Sequence, residues 1–522
     1  MHILMVAAEN GALPGFKVGG VADVVRELPL ALAAAGCRVS VVCPSYGLLA
    51  QLAPARAQGV VEADFRGART PVAIWRSGAN GDEAVRHFVL DHALFSSCGV
   101  GAIYCDDTHD GPFASDASKF ALFCSAVAEA QVRGVFGTVD VIHLHDWHAA
   151  LLALLRRYHS GYTALRRVRT VYTIHNLALQ GVRPLRGDPS SLEHWFPRLL
   201  FDQAAVSDPR WPDCVNPMAA AIRLADAVGT VSPSYAREIL EPNAVLARGL
   251  HGGEGLEQDL RAVHARGALA GILNGCEYPR DADGAPAPPI GWPQLVALMR
   301  RENLRMAGAR SELHSAHFVA QARLATLARK RPRTLLVTVG RITQQKLGLL
   351  RAVTGDGRSV LDAVLDTLGE DGQYLMLGSG EADLEQFLIS VSARRGGLIV
   401  LRGYTESLPD ALYAAGDLFL MPSTYEPCGI SQMLAMRAGQ PCLVHAVGGL
   451  KDTVRDDVDG FAFGGESTAE QAQTLLARLR AALDLRARHP RRWAALREAA
   501  ASARFRWSDS AREYLQRLYG AA

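Results

Sequence analysis

The chain of 522 residues is too long for one ordinary hydrophobic core and fits two domains of roughly 200 to 250 residues each. It is 49% hydrophobic and 21% charged with a formal net charge of +2, which excludes the charge excess typical of nucleic-acid or anionic-membrane binding. Its longest apolar runs fall short of the roughly 20 residues that a membrane helix needs, so we expect a soluble protein. Nine cysteines without the paired spacing of metal ligands, and a strand pattern from His2 in place of a signal peptide, predict a cytoplasmic location.

Short β-rich runs alternate with helical patterns along the chain. In the first half these runs are HILMVAA, RVSVVCP, VAIWR, RHFVLD, VDVIHLH, RTVYTIHN and AVGTVS. In the second half they are RTLLVTVG, GQYLMLG, GLIVLRG, LFLMPS and PCLVHA. Repetition of strand, helix and strand indicates parallel sheets covered on both faces. The sequence therefore predicts an α/β fold with two doubly wound, Rossmann-like domains facing a deep interdomain cleft.

A stretch rich in Pro, Gly, Ala and Asp, PRDADGAPAPPIGWP, separates the two sets of strands and predicts a linker. We place the N-terminal domain at 1–270, an interdomain linker region at 271–332 and the second domain at 333–495. Residues 496–522 follow as a C-terminal helix, which either closes the second domain or crosses back onto the first. Its N-cap is expected at Ser508 or Asp509.

A lysine and two glycines, KVGG at positions 17 to 20, follow the first predicted strand and precede a helix. In open parallel sheets, ligands bind outside the carboxyl ends of the strands, where glycine loops let backbone N–H groups face an anion. Of the 55 basic residues only five are lysines, so a lysine at such a loop indicates a need for a compact ammonium group. We expect a phosphate site at Lys17, Gly19 and Gly20; the alternative is a flexible loop with a solvated lysine.

The second domain repeats this pattern in VGRITQQKLG, where Arg341 and Lys346 follow a strand that ends near Gly340. Two cations at one strand end repel each other unless a multivalent anion, such as a diphosphate, lies between them. The alternative is a basic surface loop. Together with Lys17, the two cations predict a diphosphate held between the domains.

A third motif, STYEPCGISQMLAMRAGQP, places Glu426 in a turn between a strand and a helix. A lone carboxylate is unfavourable beside phosphate, but it suits a polyhydroxylated group next to that phosphate. A single Glu accompanied by Arg and Lys favours transfer from an activated donor over hydrolysis, which needs two carboxylates flanking the bond. Alternatively, Glu426 is an acid favoured by a helix N-terminus. The glycine turns GSGE and VGGLKDT are weaker signals and mostly structural.

Taken together and in order, these motifs resemble the bacterial glycogen synthase and plant starch synthase family. The matching stretches span residues 1 to about 465: KVGG with Asp23 behind it, HLHDWHAAL, YTIHNLALQG, TVSPSYAREI, GILNGCE, GRITQQK and YEPCGISQ. The resemblance implies the two-Rossmann-domain glycosyltransferase B fold and transfer of glucose from ADP-glucose to the non-reducing end of an α-1,4-glucan with retention of configuration. It implies no metal and no cofactor, because the nucleotide sugar is a substrate. The expected partners are therefore a nucleotide-activated glucose and the glucan, with neither nucleic acid nor membrane.

The resemblance also implies a role for each residue that falls on a family motif. Arg341 and Lys346 bind the donor diphosphate and stabilise it as leaving group. His175 and Glu426 lie beside the transferred glucose and complete the catalytic set. The other implied donor contacts are Lys17, Gly19, Gly20, the nucleobase-stacking Tyr404, and Cys428, Gly429, Ile430 and Ser431. The residues implied for the glucose and acceptor side are Asp23, Asp146 and Asn274.

Several alternatives remain open at this stage. His175 can be a satisfied core histidine, and Asp146 can cap and pack a helix as well as line the site. Departures from the family pattern at Leu347, Leu179 and Phe113 leave nucleotide preference and acceptor length open. The same scaffold also fits UDP-glucose as donor, another acceptor, a catalytically silent glucan-binding protein, or a nucleotide-sugar epimerase.

Overall fold

The computed structural model describes residues 1–52, 54–78, 84–107, 111–244, 251–278, 290–309, 313–327 and 330–520. The chain forms two compact units, which are described separately. Unit 1 consists of Met1–Asn243, Gly252–Gly275 and Trp507–Ala522, and unit 2 consists of Ala244–His251 and Cys276–Arg506. The main differences from the expected boundaries are that residues 276–332 of the expected linker belong to unit 2 and that residues 496–506 stay with it. The final segment belongs to unit 1, which is one of the two placements expected for it.

Within the described residues, unit 1 contains a nine-stranded sheet in the order β11-β10-β7-β6-β1-β2-β5-β4-β3. Its strands are β1 (His2–Val6), β2 (Arg38–Pro44), β3 (Ala55–Phe65), β4 (Ala68–Ser77), β5 (Val85–Asp91), β6 (Val141–His145), β7 (Arg169–Ile174), β10 (Ala227–Thr230) and β11 (Leu269–Gly271). A separate antiparallel pair joins β8 (Arg183–Pro184) and β9 (Cys214–Val215).

The expectation of purely parallel sheets is wrong at one edge of unit 1. There β3 and β4 form an antiparallel hairpin, and β4 also runs antiparallel to β5. The hairpin turns through Arg66 and Gly67, both with positive φ (54° and 74°), and such a two-residue connection can join only antiparallel strands.

The helices of unit 1 cover its sheet and include the C-terminal segment. They are Gly20–Ala34, Ala114–Val132, Asp146–Tyr158, Leu192–Trp195, Gln203–Val206, Pro217–Leu224, Pro233–Glu238, Glu257–Ala265 and Trp507–Glu513, followed by a π-helical turn at Tyr514–Tyr519. The last helix begins at Trp507, so the expected N-cap at Ser508 or Asp509 is wrong. The residues of this segment that pack into the unit 1 core are Trp507, Ala511, Tyr514, Leu518 and Tyr519.

Unit 2 contains a parallel sheet whose described strands run in the order β14-β13-β12-β15-β16-β17. These strands are β12 (Thr334–Val339), β13 (Gly372–Gly378), β14 (Leu398–Arg402), β15 (Leu418–Met421), β16 (Cys442–His445) and β17 (Gly460–Phe463). Its helices are Trp292–Gly308, Ser315–Thr326, Gln344–Arg351, Val360–Leu368, Ala382–Arg394, Ser407–Ala415, Ser431–Arg437, Gly448–Thr453, Thr468–Arg488 and Pro490–Ser502. The prediction of two Rossmann-like α/β domains is confirmed.

The expected linker region 271–332 differs from the structure, because it contains two helices. Leu295, Met299 and Met306 lie on one face of Trp292–Gly308 and are buried in the core of unit 2. This four- and seven-residue spacing is typical of an amphipathic helix. The helix was not predicted because the neighbouring Pro- and Gly-rich stretch indicated a linker. Residues 279–289 of that stretch lie outside the described residues.

Each of the two sheets has a point at which the strand order reverses, and the candidate sites lie at these points. In unit 1 the strand order reverses at β1, which lies between β2 and β6, and in unit 2 it reverses at β12, which lies between β13 and β15. Ligands of open α/β sheets bind outside the carboxyl ends of strands at such switch points. The loops that follow β1 and β12 carry Lys17 and Arg341. No helix in the described part of the chain is long and apolar enough to span a membrane.

Candidate functional site

The loop after β12 places Lys346 in the first turn of the helix Gln344–Arg351. Thr343 caps this helix, and its hydroxyl accepts a 3.3 Å hydrogen bond from the backbone N–H of Lys346. The Lys346 ammonium donates to the Glu426 carboxylate, and the two side chains are only 19% and 7% exposed. Lys346 and Glu426 were both predicted as site residues. They are 80 positions apart in the sequence and form one largely buried ion pair in the structure.

Glu426 lies in the loop after β15, and that loop is held on several sides. The Ser423 hydroxyl donates a 3.1 Å hydrogen bond to the Glu426 carboxylate, and the Glu426 carbonyl accepts one of 3.0 Å from the N–H of Gly449. A Cβ at Gly449 would lie 2.4 Å from the carbonyl oxygen of Cys428, so only glycine fits there. The VGGLKDT turn thus has a structural role, as expected, and that role is to support the Glu426 loop.

Arg341 follows β12 and is exposed, and among the described residues its guanidinium has no hydrogen-bond or ion-pair partner. It lines one cavity together with Lys346, Ser423, Gly340 and Thr338. A free guanidinium, a lysine and a buried carboxylate at one strand end can bind an anion and hydrogen-bond a hydroxyl beside it.

The segment 428–431 links this loop to the helix Ser431–Arg437. Gln432 Nε2 donates to the carbonyls of Cys428 and Gly429, each at 3.1 Å, and Gly429 has a φ of +75° that favours glycine. Ile430 holds the N-cap position, and Ser431 is the first helical residue. A carbonyl oxygen has two lone pairs, so backbone contacts to a sugar from this segment can involve its N–H groups as well as its carbonyls. Tyr404, which follows β14, is 65% exposed and leaves its ring open for stacking.

The Lys17 loop of unit 1 differs from the expected phosphate loop. Glu9, at 3% exposure, accepts hydrogen bonds from the backbone N–H groups of Val18 (2.8 Å) and Gly19 (2.6 Å). The Gly19 N–H therefore faces an internal carboxylate, where a donor anion was expected. Gly20 is exposed, and a Cβ there would meet no atom within 4 Å.

Lys17 itself lies on the surface of unit 1 and has an acidic neighbour. Its side chain is 43% exposed, and its ammonium pairs with the Asp23 carboxylate at 2.6 Å. The structure thus joins two of the predicted site residues. Asp23 lies in the first turn of the helix Gly20–Ala34, where an acid is favoured by the helix dipole.

Asp146 holds the turn that carries His175. It is buried with a left-handed φ of +55°, and its carboxylate accepts hydrogen bonds from the N–H groups of His175 (2.7 Å) and Asn176 (3.4 Å). Burial, assisted by the nearby negative charge of Glu9, raises the pKa of Asp146 to about 7, although the two N–H donors act in the opposite direction. Asp146 is the first residue of the helix Asp146–Tyr158, whose N-cap position is held by His145 without a side-chain hydrogen bond. The expected capping role is therefore wrong, because the Asp146 carboxylate supports the His175 turn.

His175 is buried and belongs to a group of neutral histidines. Its Nε2 lies 2.9 Å from Nδ1 of His145, and burial lowers the pKa of His175 to about 3. His143, on the same strand as His145, hydrogen-bonds the hydroxyls of Thr173 (2.7 Å) and Tyr519 (2.8 Å). At neutral pH, His175 is therefore an uncharged hydrogen-bonding group.

Asn274 follows β11, and it is buried. Its side-chain carbonyl oxygen has no hydrogen-bond partner among the described residues. A buried acceptor without a partner costs about 1 to 3 kcal/mol, so this oxygen is suited to accept from a ligand hydroxyl. The structure joins Asn274 to none of the other predicted site residues within the part of the chain it describes.

The three departures from the family pattern have different surroundings. Leu347 is buried in the core of unit 2, whereas Leu179 is exposed on unit 1. Phe113 packs its ring edge to face against Trp147, with 5.6 Å between the centroids. Leu347 therefore contributes packing, and Leu179 is free to contact a ligand.

Sequence reasoning missed Glu9, Tyr104, His145 and Ser423 as parts of these sites. Glu9, His145 and Ser423 each hydrogen-bond a predicted residue, and Tyr104 hydrogen-bonds Glu9. The available signal was position: Glu9, His145 and Ser423 all follow or end a strand at the same sheet edge as the predicted residues.

Two further observations concern metals and redox chemistry. Among the described residues, no group of three or more His, Cys, Asp and Glu side chains is arranged to hold a metal ion. Cys98 and Cys105 form a disulfide, which the cysteine pattern did not predict. The disulfide lies next to Tyr104, whose hydroxyl donates a 2.7 Å hydrogen bond to Glu9.

Comparison with known proteins gives consistent matches over the whole chain. Residues 2–262 match the family model of the starch synthase catalytic domain, and residues 333–480 match glycosyl transferases group 1. A glycogen synthase of Streptococcus equi subsp. equi is 34% identical and one of Anaeromyxobacter sp. is 35% identical, each match covering at least 98% of both chains.

Solved structures agree with these matches. The catalytic domain of starch synthase IV from Arabidopsis thaliana, bound to ADP and acarbose, has a TM-score of 0.74 and 28% identity, and it covers 99% of this chain and 98% of its own. A sucrose-phosphate synthase from Thermosynechococcus elongatus, 16% identical with a TM-score of 0.52, shares the fold. On these matches and on the arrangement of its motifs, the chain belongs to the glycogen and starch synthase family of glycosyltransferases.

Proposed function

We propose that this glycosyltransferase transfers glucose from ADP-glucose to the non-reducing end of an α-1,4-glucan with retention of configuration. The proposal is supported by relatives named glycogen synthase along the full chain and by the starch synthase that was solved with ADP and acarbose. The observation that carries it is the group formed by Arg341, Lys346 and Glu426 at the switch point of unit 2.

In unit 2, the two cations serve the leaving group. Breaking the bond between glucose and the diphosphate leaves an additional negative charge on ADP, and preorganised cations stabilise that charge in the transition state. Arg341 has no internal partner among the described residues and is available to the diphosphate at once. Lys346 is held in place by Glu426 and shares its remaining N–H donors with the ligand.

The sugar is bound by uncharged or internally compensated groups. In unit 1 the neutral His175 imidazole donates to a glucose hydroxyl, while Asp146 fixes the backbone on which His175 lies. The unpartnered Asn274 oxygen accepts from a hydroxyl of the glucose or the acceptor. In unit 2, Glu426, the N–H groups of the segment 428–431 and the ring of Tyr404 provide the remaining contacts to glucose and nucleobase.

The proposed chemistry assigns charge stabilisation to arginine and lysine and requires no metal. Transfer activity is therefore expected to be the same in a chelator such as EDTA and in added Mg²⁺. A loss of activity in EDTA that Mg²⁺ restores would show that a metal takes part.

The deciding experiment compares labelled ADP-glucose and UDP-glucose as donors with glycogen as acceptor. We expect incorporation from ADP-glucose to exceed that from UDP-glucose, and β-amylase digestion of the product to release the label, as it does from α-1,4-linked ends. Preference for UDP-glucose would overturn the donor assignment. Binding of glycogen without transfer from either donor would identify a silent glucan-binding protein.

A further inference from the structure

The carboxylate of Glu9 lies beneath the Lys17 loop and is almost completely buried. One of its oxygens accepts the backbone N–H groups of Val18 (2.8 Å) and Gly19 (2.6 Å), and the other accepts the hydroxyl of Tyr104 (2.7 Å). Hydrogen bonds to an ionised carboxylate are roughly twice as strong as those between neutral groups. Two of these bonds fix one end of the loop to the residue that follows β1, and the third fixes the Glu9 side chain to Tyr104.

These bonds place the two glycines of the loop in different surroundings, with Gly19 facing the interior and Gly20 facing outward. Gly19 turns its N–H inward, and a Cβ on it would lie 3.5 Å from the Glu9 carboxylate. Gly20 begins the following helix and has open space above its Cα. The N–H group that can approach a diphosphate is therefore that of Gly20, since Glu9 already occupies that of Gly19.

We propose that Glu9 is a positioning residue for donor binding, which acts by holding the Lys17 loop in the conformation that presents Gly20 and Lys17 outward. Tyr104 assists by fixing the second oxygen of Glu9. This inference rests on the proposed function, because it assigns the Lys17 loop to the nucleotide-sugar donor. Glu9 itself does not contact the donor.

The geometry also defines a competing possibility with the opposite sign. If the donor diphosphate displaced Glu9 from the Val18 and Gly19 N–H groups, the carboxylate would be a competitor, and its removal would tighten donor binding. If Glu9 positions the loop, its removal weakens donor binding. The direction of the change in donor KM therefore separates the two.

Three substitutions test the assignment. In Glu9→Gln, the amide oxygen can accept both backbone N–H groups and the amide nitrogen can donate to the Tyr104 oxygen, so the loop geometry is kept without the charge. In Glu9→Ala all three bonds are lost. Tyr104→Phe removes only the third, and Glu27→Ala on the helix Gly20–Ala34 serves as the control for removal of a carboxylate from the same region.

The variants are compared by steady-state kinetics with ADP-glucose and glycogen. We expect Glu9→Ala to raise the KM for ADP-glucose about 10-fold or more, which is comparable to the loss of one charge-assisted hydrogen bond, while the KM for glycogen stays within about 2-fold. Glu9→Gln is expected to stay within about 3-fold of the wild type and Tyr104→Phe to lie between the two. Glu27→Ala is expected to be unchanged.

Amide hydrogen exchange of the peptide containing Val18 and Gly19 provides a readout that needs no substrate. Exchange should be slow in the wild type and in Glu9→Gln, and at least about 10-fold faster in Glu9→Ala. The proposal is overturned by a lower donor KM in Glu9→Ala, by Glu9→Gln behaving as Glu9→Ala in both measurements, or by an equal rise of both KM values. If the wild type transfers from neither nucleotide sugar, the proposed function fails, and unchanged exchange in Glu9→Ala would separately overturn the positioning of the loop.

Discussion

The loops after β1 and β12 occupy the same topological position in their sheets, yet they treat their charges differently. In unit 2, the buried carboxylate Glu426 is neutralised by Lys346, and Arg341 has no partner in the described structure. In unit 1, the buried carboxylates Glu9 and Asp146 are held by backbone N–H groups, and Lys17 pairs at the surface with Asp23. Two loops that look alike in sequence therefore differ in how their buried carboxylates are compensated: by a lysine in unit 2 and by backbone N–H groups in unit 1.

This difference indicates a division of labour between the loops. A guanidinium without a partner can bind and stabilise a leaving group at no cost in broken internal bonds. The Lys17 loop, fixed by the Glu9 carboxylate, contributes to binding through its backbone conformation, and the charge of Lys17 contributes less. The following experiments are arranged to test this contrast, from the largest expected effect to the smallest.

The largest effect is expected for Arg341→Ala. Because Arg341 makes no described bond within the protein, its removal should leave thermal stability unchanged while lowering kcat by about 100- to 1,000-fold, as for other donors that stabilise a developing anion. Steady-state transfer assays and thermal melts measure both quantities. Arg351→Ala, at the end of the same strand–helix unit and paired with Asp383, is the control. A loss below about 10-fold would contradict a leaving-group role for Arg341.

The second effect is a pH-dependent stability that belongs to unit 1. The pKa of Asp146 is raised from 3.8 to about 7 in the folded state, so the folded protein binds a proton that the unfolded chain has released between these values. This contribution is present below about pH 4 to 5 and is lost as the pH rises through 7, and it amounts to roughly 2 kcal/mol between pH 5 and pH 8.

Asp146→Asn tests this contribution, because the amide oxygen can still accept the His175 N–H. The free energy of unfolding, followed by amide protection of unit 1 peptides in urea, should depend less on pH in Asp146→Asn than in the wild type. The variant should gain relative stability at pH 8. An identical pH dependence in the two proteins would show that Asp146 is ionised throughout.

A smaller effect is expected for Lys17→Arg, which keeps the charge and changes its shape. A bulkier guanidinium at a loop with fixed geometry should raise the KM for ADP-glucose by about 10-fold, since arginine and lysine are not equivalent at tight sites. The reciprocal substitution Arg26→Lys, near the same Asp23 carboxylate, is the control and should have little effect. Full activity of Lys17→Arg would leave Lys17 as a solvated surface residue.

The smallest effect is expected for Cys98→Ser, which opens the Cys98–Cys105 disulfide. Closing this short loop restricts the unfolded chain, so we expect a local destabilisation of about 2 kcal/mol. The change in activity is expected to be the smallest of the series, a few-fold at most. Hydrogen exchange of residues 99–107 should become faster in the variant and in reduced wild type alike. Exchange in the variant that is as slow as in oxidised wild type would contradict this.

Sequence patterns predicted most strands of both sheets because their period and bounding glycines are local signals, but β3, β11 and β17 were not predicted. The hairpin edge of unit 1 and the helices between 292 and 326 were missed, since in the first case the direction of β4 depends on a two-residue turn and in the second a Pro-rich stretch masked a regular apolar face. Both errors concern tertiary contacts: the strand that β4 pairs with and its direction, and the core into which the helices pack.

The candidate site shows the same limit. The predicted cations and Glu426 lie where strand ends and glycine turns indicated, and Lys346 and Glu426 do meet. The role of Glu9 was not predictable from its neighbours in sequence, because one of its partners, Tyr104, lies 95 residues away. A pattern identifies residues at a sheet edge, whereas their hydrogen-bond partners depend on the folded chain.

Because the last helix belongs to unit 1, it also affects the order in which the two units fold during synthesis on the ribosome. Tyr514 and Leu518 complete the core around Ile3 and Leu28, but they are synthesised after every residue of unit 2. Unit 2 can fold as soon as its final segment emerges, while the N-terminal strands must wait with an incomplete core. The half of the protein that is translated first is therefore expected to be the last to become native, and to need protection from aggregation in the meantime.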